Sequence, residues 1–436
     1  MSKQSVVTAI DLGTEKCVTL IAAIDEETKH LQVVGVSAVA SRGVKKSTIV
    51  DLEAVLMTLT ESIDGAERMA GFSIKSAYVS ISGSHIESLN SKGVVAVAAP
   101  NHEIAKEDVV RVIEAARAIS LPSDRSVIHV IPRDYKVDSQ PGIKDPIGMT
   151  GIRLESEAHI ITGMTTAMRN IEKSMNDVGI EIDGFVFAGL ASAESCLTET
   201  EKELGVAAVD IGSGSTSLCV YVEGSLEYSA TIPIGARHIT QDIALGCRIS
   251  LENAEKIKTA LSQEYADEVR PMPGESKDDL AKRKKREDQL DLESLGIQES
   301  VQVLSKKTIV EGIMQPRMKE IFRLIGEKLE SKDLFGLIPA GVVLTGGGAE
   351  TVDMTEVAKK TLRLPARVSQ PEQLQGLTSD IMKPSFAVGV GMLKYGFKRG
   401  GTSVSSAGLD FNKMLTNLNL GSFFKNVVSF IRSLIP

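Results

Sequence analysis

Two stretches of this chain repeat one another: "VVTAIDLGTEKCVTLIAAI" at residues 6–24 and "GVAAVDIGSGSTSLCVYV" at 205–222. In each, an apolar strand ends in Asp-x-Gly, a turn carrying hydroxyl residues follows, and a second apolar strand returns, which is how a hairpin reads. Gly13 lets the backbone approach a ligand closely, and Asp11 supplies a carboxylate at the strand end. One such turn fits any hairpin. Two copies predict two related halves around one cleft.

The length of 436 residues exceeds one hydrophobic core and suits two lobes. A formal charge of −8 argues against a chain built to hold nucleic acid through its overall field. With 4% aromatics and no Trp, stacking on single strands is a poor fit, so no nucleic acid partner is expected. Cys17, Cys196, Cys219 and Cys247 show no metal-ligand spacing and read as buried reduced thiols. The start, "MSKQSVVTAIDLG", lacks the apolar core of a signal peptide. No window reaches the ~18 uncharged apolar residues of a spanning helix, so a soluble cytoplasmic body is expected.

Up to Ser82 the pattern predicts a hairpin, a third strand in "HLQVVGVSAVA", a helix over Leu52 to Ala70 and a strand in "AYVSIS". Residues 83–160 read as an insertion with strands in "GVVAVAA" and "SVIHVIPRDYKV" and a helix over Lys106 to Ile119. A helix over Thr166 to Val178 returns the chain. Residues 246–330 read as mainly helical, and "KDDLAKRKKREDQLDLE" within them as a solvated helix face or a loop. "AGVVLTGGGAE" is a buried strand running into three glycines, and "PSFAVGVGMLKYG" a small-residue helix. From Gly396 the composition thins to that of a linker.

A triphosphate needs N–H donors unobstructed by a Cβ, hydroxyls, and a divalent cation. The first turn offers Gly13 and Thr14 with Lys16 beyond; the second offers Gly212, Ser213, Gly214, Ser215 and Thr216. Asp11 and Asp210, one per turn, are candidates to hold Mg²⁺ through water. Neither turn has Walker A spacing, and a strand rather than a helix follows "GSGSTS", which excludes a Rossmann fingerprint. In "LTGGGAE", Gly346, Gly347, Gly348 and Ala349 let a flat ring rest on backbone. Lys16 reads equally as a phosphate ligand or as an ordinary strand lysine.

Three such turns in this order resemble the actin, Hsp70 and sugar-kinase superfamily, whose members bind ATP between two lobes. The resemblance narrows to the FtsA family of bacterial cell-division proteins through "HVIPRDYKVDSQPGIKDPIGMTGIRLE", "FAGLASAESCLTETEKELGVAAVDIG" and "TIPIGARHITQDIALG". It implies a two-lobed α/β actin-like fold with RNase H-like halves, an FtsA-type 1C subdomain and a C-terminal amphipathic helix. The implied division is 1–82 and 161–198 for 1A, 83–160 for 1C, 199–245 and 331–395 for 2A, 246–330 for 2B, 396–420 for a linker and 421–436 for the helix. ATP and Mg²⁺ are the implied cofactors. Gly235 joins the nucleotide-binding residues by the same resemblance, as do Glu255 and Lys258 of "NAEKIK", which spacing alone reads as an i to i+3 ion pair.

The chain departs from the family pattern at Ser213, Ser215 and Ser217, and Ser213 places a Cβ in a turn that often demands positive φ. Glu15 would repel phosphates, so it is expected either to point to the lobe surface or to meet the cation. Hydrolytic members of the superfamily carry Glu or Gln at the head of the first connecting helix; here that position reads as Ala188, which can neither accept a proton nor align water. Weak or no hydrolysis is expected, with Glu194 too far along the helix to substitute.

The chain ends "GSFFKNVVSFIRSLIP". On a helix, Phe423, Phe424, Val427, Val428, Phe430, Ile431, Leu434 and Ile435 fall within an arc of roughly 160°. Lys425 and Arg432 supply the only charges opposite, which suits an interfacial helix on anionic lipid; docking on the protein's own core or on a partner helix fits the same stripe. One such helix binds reversibly, so firm attachment needs many copies and hence self-assembly. The resemblance then implies a homopolymer on the inner face of the cytoplasmic membrane at the division site, tethering FtsZ filaments. It implies an FtsZ C-terminal tail docked on 2B at "IMQPRMKEIFRLI", where Arg317 and Glu320 are the candidate contacts, and later division proteins bound through 1C. A pilus-assembly ATP-binding protein of the same superfamily is the nearer alternative, a small-molecule kinase the more distant one.

Overall fold

The computed structural model describes residues 5–25, 30–264, 275–297, 304–376 and 381–400. The stretch 421–436, expected to form an amphipathic membrane-binding helix, lies outside this set, as does most of the expected linker.

The first half opens with β1 (Val6–Leu12), β2 (Lys16–Ile24) and β3 (Leu31–Ala40), then a two-residue-strand hairpin of β4 (Val44–Lys45) and β5 (Thr48–Ile49). Next come α1 (Leu52–Ala70) and β6 (Ser76–Ile81). Asp51 caps α1 by accepting from the Ala54 N–H, and Gly71 ends it in the left-handed conformation that a Cβ disfavours. The insertion holds β7 (Glu87–Ala96), α2 (Lys106–Arg117), β8 (Arg125–Val137), β9 (Gln140–Ile143) and β10 (Arg153–Met164). The chain returns through α3 (Thr165–Asp177), β11 (Glu181–Phe187) and α4 (Ala188–Cys196).

After α5 (Glu199–Leu204), the second half begins with β12 (Val206–Ile211), β13 (Thr216–Val222) and β14 (Ser225–Ile232). A helical block follows: α6 (Ala236–Cys247), α7 (Leu251–Glu264), α8 (Lys277–Glu287), α9 (Lys306–Ile309), a π-helical turn over Val310–Met314 and α10 (Gln315–Glu330). The described chain closes with β15 (Val342–Thr345), α11 (Met354–Leu362), β16 (Ala366–Val368), β17 (Gln375–Gly376) and α12 (Ala387–Gly400).

The two halves share one topology. The first sheet runs β11-β6-β1-β2-β3-β17 and the second β14-β13-β12-β15-β16. In both, a hairpin lies antiparallel and its first strand takes a parallel neighbour on the other side, β6 for β1 and β15 for β12. Register repeats as well: Leu12 pairs Cys17 and Ile211 pairs Thr216, so each turn spans four residues. All four cysteines are buried and free, as their apolar surroundings predict.

Two boundaries differ from expectation. β10 runs unbroken to Met164, so residue 160 falls inside a strand and the insertion's sheet extends past it. More consequentially, the chain from Ile381 onward packs on the first half, although the sequence reading assigned it to the second. Val390, Met392 and Leu393 share a core with Val7, Ala9, Val18 and Leu20, and α12 continues as helix through Gly400 where a linker was expected from Gly396. A Cβ at Gly391 would stand 1.8 Å from the Ala191 carbonyl oxygen of α4. That contact requires a bare backbone.

The insertion is tied to β14 of the second half by polar contacts. His159 Nε2 lies 2.8 Å from Ser229 Oγ, its Nδ1 lies 2.6 Å from Asn90 Oδ1, and Arg133 pairs with Glu227. Burial holds His159 neutral, with its pKa pushed down to about 3. His129 of β8 is likewise depressed to about 3 by burial; its Nε2 accepts from the Phe187 N–H at 3.0 Å, immediately before α4.

Gly391→Ala should destabilise the protein by about 2–3 kcal/mol through overpacking against α4. Gly326→Ala on α10, whose new Cβ would meet Leu362 at an ordinary 3.4 Å, should be neutral or stabilising by up to about 1 kcal/mol through helix propensity. Thermal unfolding of the two variants beside the parent checks both signs.

Candidate nucleotide-binding site

The hairpin turns of the two halves face one cavity of about 320 Å³, within the size of a nucleotide pocket. In both turns the first glycine N–H donates back across the loop, Gly13 to the Lys16 carbonyl at 3.1 Å and Gly212 to the Ser215 carbonyl at 2.9 Å. Thr14, Glu15 and Lys16 therefore occupy the places of Ser213, Gly214 and Ser215. Ser213 is absent from the residues with positive φ, so its Cβ costs nothing in the turn.

Asp11, Gly13, Thr14, Lys16, Asp210, Gly212, Ser213, Gly214, Ser215, Glu255, Lys258, Gly346, Gly347 and Gly348 all line this cavity. Three expected residues stand behind its wall. Thr216 is buried and donates its hydroxyl to the Ile234 carbonyl at 2.7 Å. Gly235 backs the second turn, where a Cβ would fall 2.4 Å from the Gly212 carbonyl oxygen. Ala349 is buried in the second-half core. These three shape the pocket without facing it.

The charges at the cavity floor are unusual for buried groups. Asp11 accepts from Ser80 Oγ at 2.7 Å, and burial still raises its pKa, partly offset by Ser80 and the Lys16 ammonium. Asp210 is pushed up to about 7, first by burial and then by the charge of Asp11. Lys16 has its pKa lowered by burial; its Nζ donates to Ser385 Oγ at 3.1 Å and sits 3.7 Å above the Phe386 ring. A lysine so placed is a cleft group rather than a surface strand residue.

Glu255 and Lys258 form the expected ion pair, and they form it on the cavity wall. Lys258 Nζ donates to Glu255 Oε2 at 2.7 Å, Thr240 Oγ1 adds a bond to the same oxygen at 2.6 Å, and both residues face the cavity. Glu15 is exposed, as the surface reading expects. It reaches across the cleft, where Ser213 Oγ and Arg237 Nη1 donate to its Oε2 at 3.1 and 3.3 Å. The cation it meets is an arginine of the other half.

Hydroxyls missed by the sequence reading complete the cleft. Ser47 Oγ lies 2.8 Å from Ser215 Oγ, and Ser82 Oγ lies 3.1 Å from Ser217 Oγ, so both pairs join the halves. Ala188 heads α4 and lines the cavity. Glu194, farther along, pairs with Lys202 and Lys398 instead. Arg317 is engaged within the protein: Nε and Nη2 donate to Asp242 at 2.6 and 2.9 Å, and Nη1 pairs with Glu320. This clamp ties α10 to α6, so an incoming carboxylate would have to share or displace it.

Sequence comparison matches residues 83–162 to the SHS2 domain inserted in FtsA and residues 207–391 to the cell division protein FtsA. The chain is 36% identical to the cell division protein FtsA of Pseudomonas aeruginosa over 408 residues, covering 93% of each. It is 31% identical to that of Escherichia coli K12 over 436 residues, covering 98% of each. Among solved structures, a PilM-PilN type IV pilus biogenesis complex superposes with a TM-score of 0.60 at 13% identity, over 90% of this chain and 98% of the other. MreB5 of Spiroplasma citri bound to AMPPNP superposes with a TM-score of 0.51 at 16% identity, over 92% and 98%. The duplicated halves are those of the actin-like fold, and the chain belongs to the FtsA family of cell-division proteins.

Proposed function

We propose that this protein binds ATP with Mg²⁺ between its halves, polymerises on the inner face of the cytoplasmic membrane at the division site, and tethers FtsZ filaments there. The observation that carries the reading is the meeting of three glycine turns and two carboxylates at one cleft in a chain of this family. Family membership favours a division role over pilus assembly, with whose complex the chain shares a fold at 13% identity.

In this reading the glycine N–H groups and hydroxyls of the two hairpin turns take the phosphates, Lys16 offsets their charge, and Gly346 to Gly348 support the base. Glu255 and Lys258 hold the nucleoside. Asp11 and Asp210 suit a divalent cation. They are hard oxygen donors, and Asp210 carries the electrostatic cost of a near acid that a cation would relieve. No cluster of three or more His, Cys, Asp or Glu occurs among the described residues, so water and phosphate would complete the shell. Mg²⁺, when bound, neutralises phosphate charge. The Ala188 methyl leaves no carboxylate to activate water at the head of α4.

None of the described helices is long and apolar enough to cross a membrane. Attachment therefore falls to the amphipathic terminus, from Phe423 to Ile435, multiplied by self-assembly. The FtsZ tail docks on 2B along α10, meeting Arg317 and Glu320 only by sharing their clamp with Asp242, and the insertion receives later division proteins.

Flotation with anionic liposomes tests the tether: the full chain should float, more so with ATP, and a chain stopped at Leu420 should not. Equal behaviour of the two would overturn it. Single-turnover hydrolysis of Mg·ATP should stay well below the roughly 1 s⁻¹ floor of ordinary enzymes; a rate at or above that level sinks the Ala188 argument. Because burial and the Asp11 charge push Asp210 up to about 7, and its protonated form repels no phosphate but holds no cation, Mg·ATP affinity should fall as pH drops below about 7. Calorimetry in two buffers should register proton release near neutrality, and Asp210→Asn should abolish it.

A further inference from the structure

The hairpin of β4 and β5 turns at Lys46 and Ser47, which both take positive φ, 49° and 60°. A two-residue hairpin turn of this kind ordinarily falls to Gly, Asn or Asp. The tip is held by hydroxyls from opposite halves of the cleft. The Ser47 N–H donates to Thr14 Oγ1 at 2.9 Å, and Ser47 Oγ lies 2.8 Å from Ser215 Oγ. Thr14 and Ser215 are the hydroxyls that the proposed phosphate turns would present to a triphosphate.

Gly214 makes the seat. A Cβ there would stand 2.5 Å from Thr14 Oγ1 and 3.0 Å from the Lys46 Cα. Behind the tip lies a second cavity of about 420 Å³, which shares Thr14 and Gly214 with the nucleotide cleft and is also lined by Lys45, Lys46, Arg237 and His238. Arg237 pairs with Glu15 across the cleft. Lys45 and Lys46 are exposed and make no ion pair among the described residues. A strained turn fastened to phosphate-binding hydroxyls, with unpaired cations beside it, is an arrangement that an anion between the turns would disturb.

We propose that the Lys46–Ser47 tip discriminates nucleoside triphosphate from diphosphate. A terminal phosphate competes with Ser47 Oγ for the Ser215 hydroxyl and takes the Thr14 hydroxyl proton that the Ser47 N–H bond leaves free, and Lys46 closes over that phosphate from the second cavity. A diphosphate is too short to reach the tip and leaves Ser47 fastened. The inference rests on the ATP reading above and adds to it the element that reports the terminal phosphate. The report travels into the first half, because the hairpin's base is bonded to the start of α1: the Gly43 carbonyl accepts from the Val50 and Asp51 N–H groups at 2.8 and 3.2 Å.

The test is the ratio of ATP to ADP dissociation constants, measured with Mg²⁺ on the full chain, Lys46→Gln and Ser47→Gly. Gln removes the charge and shortens the side chain by one atom while leaving the backbone strain of the turn, and Gly relieves the turn while removing the competing hydroxyl. Lys46→Gln should weaken ATP about tenfold, the scale of one lost charged hydrogen bond, and change ADP by less than about twofold. Ser47→Gly should shift the ratio the opposite way, toward ATP. Equal changes for both nucleotides, or none, would overturn the tip's role while leaving ATP binding intact. If the parent chain bound neither nucleotide, the site reading itself would fail and the tip's role with it.

Discussion

Two carboxylates at equivalent ends of a duplicated hairpin, Asp210 buried and Asp11 half-buried, set the terms for the whole cleft. Burying one charge is costly, and a second of the same sign nearby makes it costlier. The protein answers on the first half with the Ser80 hydroxyl and the Lys16 ammonium. On the second half Asp210 is driven toward its neutral form instead. A fold that kept these acids for packing would gain by replacing them with apolar side chains. Their placement at matching register suits the cation and anionic ligand proposed above.

The cross-cleft contacts above that floor are mostly neutral or solvent-exposed. Ser47 with Ser215, Ser82 with Ser217, and Glu15 with Ser213 and Arg237 each join one half to the other. A hydrogen bond of this kind contributes about 0.5–1.5 kcal/mol net, and an exposed ion pair less than about 1 kcal/mol. Three such links span the mouth of the cleft and yield to a ligand carrying several negative oxygens, while behind it Val206, Ala208, Cys219 and Val343 of the second half share an apolar core with Leu12, Ile81, Phe187 and Leu190 of the first. The helices behind the cleft are held by large apolar cores.

The duplicated hairpins were legible because alternating apolar strands and an Asp-x-Gly turn leave a mark within twenty residues of chain. The three glycine turns were legible for the same reason, as were α1 and the insertion's main strands. Glu15 was not, since the Arg237 it meets is brought close only by closure of the two halves. Nor was Ser47: "GVKKST" reads as a connection between a strand and a helix, and its place over the second turn depends on Gly214, far away in sequence. Gly235, Thr216 and Ala349 carry the right residue types but stand one layer back, a distinction that backbone curvature decides. The destination of α12 was hidden because small residues permit close packing without naming the surface that receives it.

That last helix has a consequence for how the protein is made. The face of β1 and β2 formed by Val7, Ala9, Val18 and Leu20 is finished only when Val390, Met392 and Leu393 arrive. At about 5–20 residues per second on the ribosome, the opening hairpin waits roughly 20–75 s for its cover. During that interval the nascent first half presents a bare sheet face to the cytosol. The strands of the opening hairpin thus belong to a core that stays incomplete until α12 has been made, and the first half cannot become native before then.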